Sequence, residues 1–334
     1  MSPASIKDVA RLAGVSVGTV SNVLNRPEKV SPATIERVTR VVEEVGFVRN
    51  DAARQLRAGR STSIGLIVLD VRNPFFTELA RGVEDEASRH QLSVILGNSD
   101  EEPARESAYL DLFDEHRVRG VLVSPIGDVT TRLDRLRAHG TAAVIVERDA
   151  EGTGFSSVSV DNVAGGYLAA RHLLGAGRRR LAFVGARFEI RQVADRLEGV
   201  RRAVSETPGA LLEVVSGESL TVLEGRRLGQ ELALRPPAER PDAVLAANDL
   251  LAIGSLQAFI LSDRVHVPED VAVVGYDDID FASAAIVPLT SVRQPSQLMG
   301  STAVRLLLEE SDSSTAHPQN IVFQPELVVR DSSG

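Results

Sequence analysis

The feature that most constrains the fold is a regular alternation of apolar runs and helix-length stretches from residue 61 onward. The apolar runs have the length and composition of buried strands, and they lie at Ile64–Leu69, Leu92–Leu96, Gly120–Val123, Ala142–Val146, Ser157–Val160, Leu181–Val184, Leu211–Val215, Ala243–Ala246 and Val271–Val274. Continuous apolar strands that alternate with helices are typical of parallel sheets covered on both faces. So many strands favour an α/β body of two doubly wound units over a single one.

This α/β body carries no recognised catalytic motif. No Gly-x-Gly-x-x-Gly follows the first strand, and neither a phosphate-binding P-loop nor a Gly-x-Ser-x-Gly elbow occurs. The six histidines lack metal-ligand spacing, and the absence of cysteine excludes disulfides and thiolate zinc sites. The sequence therefore predicts a protein that is not an enzyme and that needs no cofactor or metal.

The first 46 residues instead have the pattern of three short helices. Ser and Pro stand where helices begin and Gly stands where they end, which are the positions that these residues favour. The predicted caps and ends are Ser5 with Asp8, Gly14, Ser16, Ser31 with Pro32, and Gly46. Apolar residues at helical spacing predict the core-facing side, made of Ile6, Val9, Ala10, Ala13, Val20, Val23, Leu24, Ile35, Val38, Val42 and Val45.

Two short helices joined by a tight glycine turn, with a third that closes the core, form a helix-turn-helix pattern. In that motif the N-terminal residues of the second helix face base edges in the major groove. Asn22 can bond an adenine edge, Val17 can touch a thymine methyl group, and Gly18 permits close approach. The predicted DNA contacts of this region are Ser5, Lys7, Ser16, Val17, Gly18, Thr19, Ser21, Asn22 and Asn25. A three-helix bundle that binds protein has the same pattern.

The charge distribution favours nucleic acid as the partner of the N-terminal region. Residues 1–60 carry a net charge of +4, whereas the remainder carries −13. A basic head on an acidic body indicates that the head is the part that meets a polyanion. No apolar leader and no membrane-spanning run is visible, so the sequence predicts a cytoplasmic protein without a membrane partner.

Residues 6–25, with the sequence IKDVARLAGVSVGTVSNVLN, closely resemble the N-terminal signature of the lactose-repressor (LacI/GalR) family. The match continues through Val30-Ser31-Pro32 and Gly46-Phe47, and the body resembles the same family. The resemblance implies a ligand-responsive repressor of a carbohydrate or other small-metabolite operon, bound to double-stranded operator DNA. It implies a DNA-binding domain over residues 1–46, a hinge over 47–60, and a ligand-binding and dimerisation domain over 61–334.

Residues 50–59, which follow the three predicted helices, have the pattern of a helix too short to persist alone in water. Asn50 or Asp51 can cap it and Gly59 can end it, although a frayed linker fits equally well. The resemblance implies a hinge helix that folds on DNA and wedges a leucine between base steps of the minor groove. The contacts predicted here are Asn50, Arg54, Leu56 and Arg57.

The body resembles the periplasmic sugar-binding architecture, which implies two lobes with a ligand in the cleft between them. The first lobe would comprise about 61–160 and 292–324, and the second about 161–291 and 325–334. Ligands of open α/β sheets lie beyond the carboxyl ends of the strands. The candidate effector contacts in such loops are Asn73, Phe75, Phe76, Arg148, Asp161, Arg196, Leu220, Asn248 and Asp277. All of these except Arg148 and Leu220 also have a purely structural explanation, as a helix start or cap, a core aromatic or a solvated charge.

The candidate contacts suit a small-molecule effector: a sugar, a sugar phosphate or a nucleobase-like compound. Arg, Asp and Asn together can form the paired polar bonds that recognise a polyol. Leu220 departs from the family, which often has an aromatic platform in that loop, and this weakens the case for ring stacking. Because no heptad run follows Arg330, we expect a homodimer rather than a tetramer.

Two other classes of function fit parts of the chain. A solute-binding receptor of a transport system would account for the body but not for the head or the missing leader. An α/β enzyme acting on a nucleotide or sugar would account for the sheets but not for the missing phosphate-binding loops.

Overall fold

The computed structural model describes residues 4–47, 61–312 and 317–334. The chain divides into two compact units, Met1–Arg60 and Ser61–Gly334. The predicted hinge contacts Asn50, Arg54, Leu56 and Arg57 lie outside the described residues and remain predictions.

The described part of the first unit contains three α-helices, α1 (Ile6–Ala13), α2 (Val17–Asn25) and α3 (Pro32–Glu44). Ser5 and Asp8 form the predicted capping box, and Ser16 caps α2 by accepting a 3.0 Å bond from the Thr19 amide. Gly14 ends α1 with φ of +64°, a conformation that costs glycine little. These caps satisfy helix-end amides and therefore fix the turn between α1 and α2.

The core of the head differs from the prediction along α3. The predicted Val38 is fully buried, but Val41 is buried as well, while Val42 is only half-buried. Apolar spacing of three and of four residues fits a helix equally well, so the pattern alone does not decide between neighbouring valines. Leu24 of α2 is likewise half-buried rather than buried. A single 3₁₀ turn at Pro27–Lys29, which the sequence did not predict, links α2 to α3.

The residues that the structure describes in the second unit form twelve strands. In chain order they are β1 (Ser63–Val68), β2 (Ser93–Asn98), β3 (Gly120–Val123), β4 (Ala142–Val146), β5 (Ser156–Val160), β6 (Arg180–Gly185), β7 (Leu211–Ser216), β8 (Ala243–Ala246), β9 (Ala272–Asp277), β10 (Thr290–Arg293), β11 (Asn320–Phe323) and β12 (Glu326–Val328). They form two six-stranded sheets, β11-β5-β4-β3-β1-β2 and β12-β10-β9-β8-β6-β7. All neighbours pair in parallel except β10 and β12, which are antiparallel.

Nine helices connect and cover these strands in the described part of the second unit. They are α4 (Pro74–Arg89), α5 (Pro103–Glu115), α6 (Thr130–Ala138), α7 (Asn162–Gly175), α8 (Arg191–Ser205), α9 (Val222–Leu234), α10 (Asp249–Leu261), α11 (Asp280–Ser283) and α12 (Ser296–Asp312). Three helix pairs make the most extensive contacts: α4 with α12, α7 with α8, and α9 with α10. None of the helices that the structure describes is both long and apolar enough to cross a membrane.

Strands β10, β11 and β12 were missed in the sequence because they are short and partly polar. They belong to the segments in which the chain passes between the two sheets. Strand β11 joins the first sheet beside β5, whereas β12 joins the second sheet beside β10. Each sheet is therefore completed by a strand from the last fifteen residues of the chain.

Glycine brings α4 and α12 into close contact. A Cβ atom added at Gly82 would lie 2.1 Å from the Gln297 carbonyl oxygen, and one added at Gly300 would lie 2.2 Å from the Leu79 carbonyl oxygen. No side chain fits at such distances, so both positions require glycine. The contact fixes α12 on the first sheet's helical layer.

Candidate functional site

The N-terminal half of α2 presents the residues that the sequence predicts at base edges. Val17, Gly18 and Asn22 are exposed. The predicted phosphate contacts are more constrained, because Thr19 is half-buried and the Asn25 amide donates to the Ser21 carbonyl at 2.8 Å. Ser5 and Lys7 lie exposed at the start of α1. The head thus exposes a small, mainly polar surface at α2.

In the second unit, the carboxyl ends of strands from both sheets border one cavity of about 40 Å³. Loops after parallel strands supply its walls, as expected for a doubly wound fold. The lining residues are Leu69, Asp70, Asn73, Phe75, Phe76, Glu101, Glu147, Ile190, Gln192, Val193, Arg196, Leu220, Asn248 and Asp277. Pockets that hold drug-sized ligands usually measure roughly 300–1,000 Å³. A sugar-sized molecule would therefore require the walls to separate.

Arg196, on the inner face of α8, is the only guanidinium among the cavity-lining residues. Its side chain is only 7% exposed, and its Nη1 lies 3.6 Å from Asp277 Oδ1. Nε donates to Asn162 Oδ1 at 2.9 Å and Nη1 donates to the Ala247 carbonyl at 2.7 Å. The guanidinium carbon also lies 3.7 Å from the centre of the Tyr276 ring, in cation–π geometry. These contacts give partners to Nε, to Nη1 and to one face of the buried guanidinium.

Asp277, at the end of β9, is the acceptor that both sheets share. Its Oδ2 accepts from Asn73 Nδ2 at 2.9 Å and its Oδ1 accepts from Gln294 Nε2 at 2.8 Å. Burial raises the pKa of this carboxyl, while the charge of Arg196 and the two amide bonds act in the opposite direction. The backbone at Asp277 has φ of +109°, which is strained for a residue other than glycine.

Among the described residues, two polar contacts join the lobes across the cleft. Asn73 caps α4 beside the first sheet and bonds Asp277 at the end of the second sheet. On the same side, the Arg187 guanidinium donates to the Glu101 carbonyl and lies 3.5 Å from the Glu101 carboxylate. Both contacts must break if the lobes are to separate.

Two more carboxyl groups face the cavity with raised affinity for protons. Burial raises the pKa of Glu147 to about 7, although a 2.8 Å bond from the Ser124 hydroxyl favours the ionised form. Burial also raises the pKa of Glu101 to about 7, against the opposing charge of Arg187. With Asp70 and Asp277, four carboxyl groups border a cavity that contains one guanidinium.

The side-chain amide of Gln192 has no hydrogen-bond partner among the described residues. The residue is 4% exposed and lines the cavity, and neither its Nε2 nor its Oε1 atom has a hydrogen-bond partner in the described structure. Unpaired buried amides are costly, so such a group is a natural contact for a polar ligand. The amide of Asn248, in contrast, donates to the Leu220 carbonyl at 3.0 Å.

Comparison with known proteins accounts for both units. Residues 5–50 match the lacI family of bacterial regulatory proteins, and residues 170–333 match a periplasmic binding protein-like domain. The HTH-type transcriptional repressor PurR of Vibrio campbellii (strain ATCC BAA-1116) is 31% identical over 344 residues, covering 98% of this chain and 98% of PurR. The chain belongs to the lacI family.

Two solved structures extend the family match to three dimensions. The complex of the transcriptional regulator CelR with cellobiose is 32% identical, with a TM-score of 0.72, over 98% of this chain and 99% of CelR. The lac repressor dimer bound to operator and the anti-inducer ONPF is 26% identical, with a TM-score of 0.82, over 99% of each chain. These matches confirm the predicted family and fold class. They also confirm that the protein is a DNA-binding regulator and not a transport receptor.

Seven of the nine predicted effector contacts line the cavity of this lacI-family protein: Asn73, Phe75, Phe76, Arg196, Leu220, Asn248 and Asp277. Arg148 does not line it, because its guanidinium donates to the Gly127 carbonyl at 2.7 Å. Asp161 does not line it either and caps α7 by accepting from the Ala164 amide at 2.8 Å. The assignment of all nine as effector contacts remains a prediction.

Four polar lining residues were missed in the sequence: Asp70, Glu101, Glu147 and Gln192. Glu147 and Arg148 both follow β4 directly, so their position after the strand does not distinguish between them. Glu147 adopts φ of +65°, and Glu101 adopts +56°. These unusual backbone angles turn the chain at the strand ends, so counting residues from a strand cannot predict which side chain faces inward.

Proposed function

We propose that this lacI-family protein is a repressor that binds operator DNA through its head and is controlled by an uncharged, polyhydroxylated effector in the cleft. The proposal depends on two features that occur in the same chain. One is the exposed surface of α2, and the other is the buried, polar cavity between the two sheets. Effector and operator would favour different lobe arrangements, and linkage makes the effect reciprocal. No catalytic role is proposed, since the matched relatives are regulators.

The proposal for the head predicts a sequence-specific role for Asn22. Asn22→Ala is expected to weaken binding to promoter fragments from the protein's own locus by roughly 5–150-fold, because a bidentate amide contact to a base discriminates by about 1–3 kcal/mol. Fluorescence anisotropy at fixed salt measures this. Binding to unrelated DNA should change little.

The control is Glu36→Gln, which alters an exposed charge on α3 that pairs with Arg40 at 3.2 Å. This change should leave discrimination between promoter and unrelated DNA intact. Equal losses on both DNAs in the Asn22→Ala protein would contradict a base contact.

The proposed effector class follows from the charges of the cavity. The single guanidinium among the lining residues is already paired with Asp277 and bonded to Asn162 and Ala247, so none of the lining residues offers an unpaired cation to a phosphate or carboxylate. Hydroxyl groups, in contrast, can bond the carboxyl groups and the Gln192 amide. This argument favours the sugar over the sugar phosphate among the predicted effectors. The relative CelR binds an uncharged disaccharide, cellobiose, which agrees with this choice.

A panel of paired ligands tests the charge argument. Thermal shift assays compare ribose with ribose 5-phosphate and glucose with glucose 6-phosphate, and cellobiose is added as an uncharged disaccharide. At least one of the three uncharged sugars should stabilise the protein, and neither phosphate should. At 100 times Kd a ligand adds about 2.7 kcal/mol of stability, which the assay detects readily. Stabilisation by a phosphate alone would contradict the proposed class.

We also propose that the protein acts as a homodimer, as the lac repressor does in its operator complex. A mainly apolar groove of about 440 Å³ is lined by α10, α11 and the segment that follows, together with Arg72, Pro74 and Val222. Phe281 and Ile286 in this groove are exposed by 61% and 85%. Exposed apolar surface of this kind marks association sites. Because its proposed partner is operator DNA, the dimer would act in the cytoplasm.

Charge placed in this groove should prevent dimer formation. Ile286→Glu is expected to shift the protein from dimer to monomer in sedimentation velocity at micromolar concentration, because an unpaired carboxylate cannot be buried cheaply. Leu211→Glu, at a residue 65% exposed on β7, is the matched control and should remain dimeric. A monomeric native protein would overturn the assignment.

A further inference from the structure

A buried carboxyl group outside the cavity contacts the turn that carries Asp277. Asp249 is the first residue of α10 and is 0% exposed. Its Oδ2 accepts from the Ile279 amide at 2.9 Å, and its Oδ1 accepts from the Ser291 hydroxyl at 2.6 Å. Ser291 Oγ in turn accepts from the Asp278 amide at 3.0 Å. One side chain thus bonds, directly or through one hydroxyl, two consecutive amides after Asp277.

The turn needs such support because its backbone is strained. Asp277 has φ of +109° and Asp278 has φ of +53°, in a region that side chains other than glycine rarely adopt. Strain of this kind persists only where the surroundings determine the conformation. Asp278 adds ion pairs of 2.7 Å to Arg293 and to Arg330. These hold the side chain of Asp278, whereas Asp249 and Ser291 hold the backbone.

The backbone of β9 packs closely against the Asp249 carboxyl. A Cβ atom at Gly275, two residues before Asp277, would lie 2.0 Å from Asp249 Oδ1. Strand β9 therefore requires glycine at this point so that the carboxyl can reach the turn. Among the described residues, no Lys, Arg or His lies within ion-pair distance of Asp249, so the group has hydrogen bonds but no counter-charge.

We propose that Asp249 is a positioning residue that holds the Asp277 turn in its effector-binding geometry through hydrogen bonds and not through its charge. The proposal rests on the proposed function, since it takes Asp277 as an effector contact. Asp249 itself does not line the cavity. Its influence reaches the other lobe through Asp277, which accepts from Asn73, whose Oδ1 accepts from the Phe75 amide at 3.0 Å.

Amide hydrogen exchange of the full-length protein tests this without any effector. In Asp249→Ala, exchange at Ile279 and Asp278 should accelerate by about 10–100-fold, as expected when a buried hydrogen bond is lost. Exchange at Phe75 should also accelerate, by several-fold, because a displaced Asp277 releases Asn73. A purely local role in α10 would leave Phe75 unchanged.

Asp249→Asn is the decisive companion variant. Its amide can accept from Ile279 through oxygen and donate to Ser291 through nitrogen, so exchange at all three amides should stay within about two-fold of the native rates. Ser255→Ala removes another buried polar group from the same helix and should leave the turn unaffected. If Asp249→Ala fails to fold, Ser291→Ala removes one of the two bonds and should accelerate exchange at Asp278.

Two results would overturn the proposal: native exchange at Ile279 in Asp249→Ala, or equal acceleration in the Asn and Ala variants. Either result is obtained without an effector. A failure here is therefore separate from a failure of the sugar panel, which would reject the proposed effector class and leave the positioning role standing.

Discussion

Replacing Arg196 with alanine should lower the free energy of unfolding by about 3–5 kcal/mol, the usual result of removing one partner of a buried ion pair. The change leaves the Asp277 carboxyl without its cation, and it also leaves Asn162 Oδ1 and the Ala247 carbonyl without a donor. Urea denaturation of the full-length protein measures the loss. The effector response should vanish at temperatures at which the variant remains folded.

Two companion variants separate this effect from a general weakening of α8. Arg191→Ala removes an exposed ion pair with Asp195 from the same helix, and exposed pairs are worth about 0.2–1 kcal/mol. Adding Asp277→Asn to Arg196→Ala should recover part of the lost stability, because the stranded carboxyl is then neutral. A loss below about 1 kcal/mol in the single variant would show that Arg196 is not the partner that keeps Asp277 charged.

Replacing Glu147 with glutamine should flatten the dependence of stability on pH. Burial raises the pKa of Glu147 from the ordinary 4.5 to about 7, so the folded protein retains a proton that the unfolded chain has already released. Between these two values the unfolded state binds fewer protons, and the free energy of unfolding must fall as pH rises. A shift of this size corresponds to about 3 kcal/mol, complete once the pH exceeds 7.

Urea denaturation of native and Glu147→Gln proteins from pH 4 to pH 8 singles out this carboxyl, because the titrations of groups that do not interact with Glu147 cancel in the difference. The glutamine can still accept from the Ser124 hydroxyl, so packing is preserved. The variant should become progressively more stable than the native protein towards pH 8. Glu101→Gln should show the same sign and a similar amplitude, because burial raises the pKa of that carboxyl to about 7 as well, even against the charge of Arg187. Parallel pH profiles would reject a protonated Glu147.

The strands of the two sheets were largely predictable, because burial on both faces leaves continuous apolar runs such as Val144–Val146. The helix caps of the head were equally visible, since Ser5 and Ser16 act within their own turns. The resemblance to a known family, rather than periodicity, placed Arg196 and Asp277 at one cleft. The predicted lobe boundaries and effector contacts stay predictions.

The unpredictable part of the site depends on backbone angles and on distant contacts. Nothing in the order of residues 147 and 148 shows that the glutamate faces the cavity while the arginine bonds Gly127. The bond between Asn73 and Asp277 joins residues 204 positions apart. The position of Asp249 at the start of α10 does not show that its carboxylate accepts from the Ile279 amide.

The interleaved order of the strands has a consequence for how the protein is made. Since β11 and β12 complete different sheets, neither lobe can acquire its last strand until nearly the whole chain has left the ribosome. The helical head is composed of local contacts and can fold at once, whereas the nascent lobes expose an unpaired strand edge throughout synthesis. Cutting the chain after residue 312 would therefore damage both lobes together, and neither could be produced as a simple truncation.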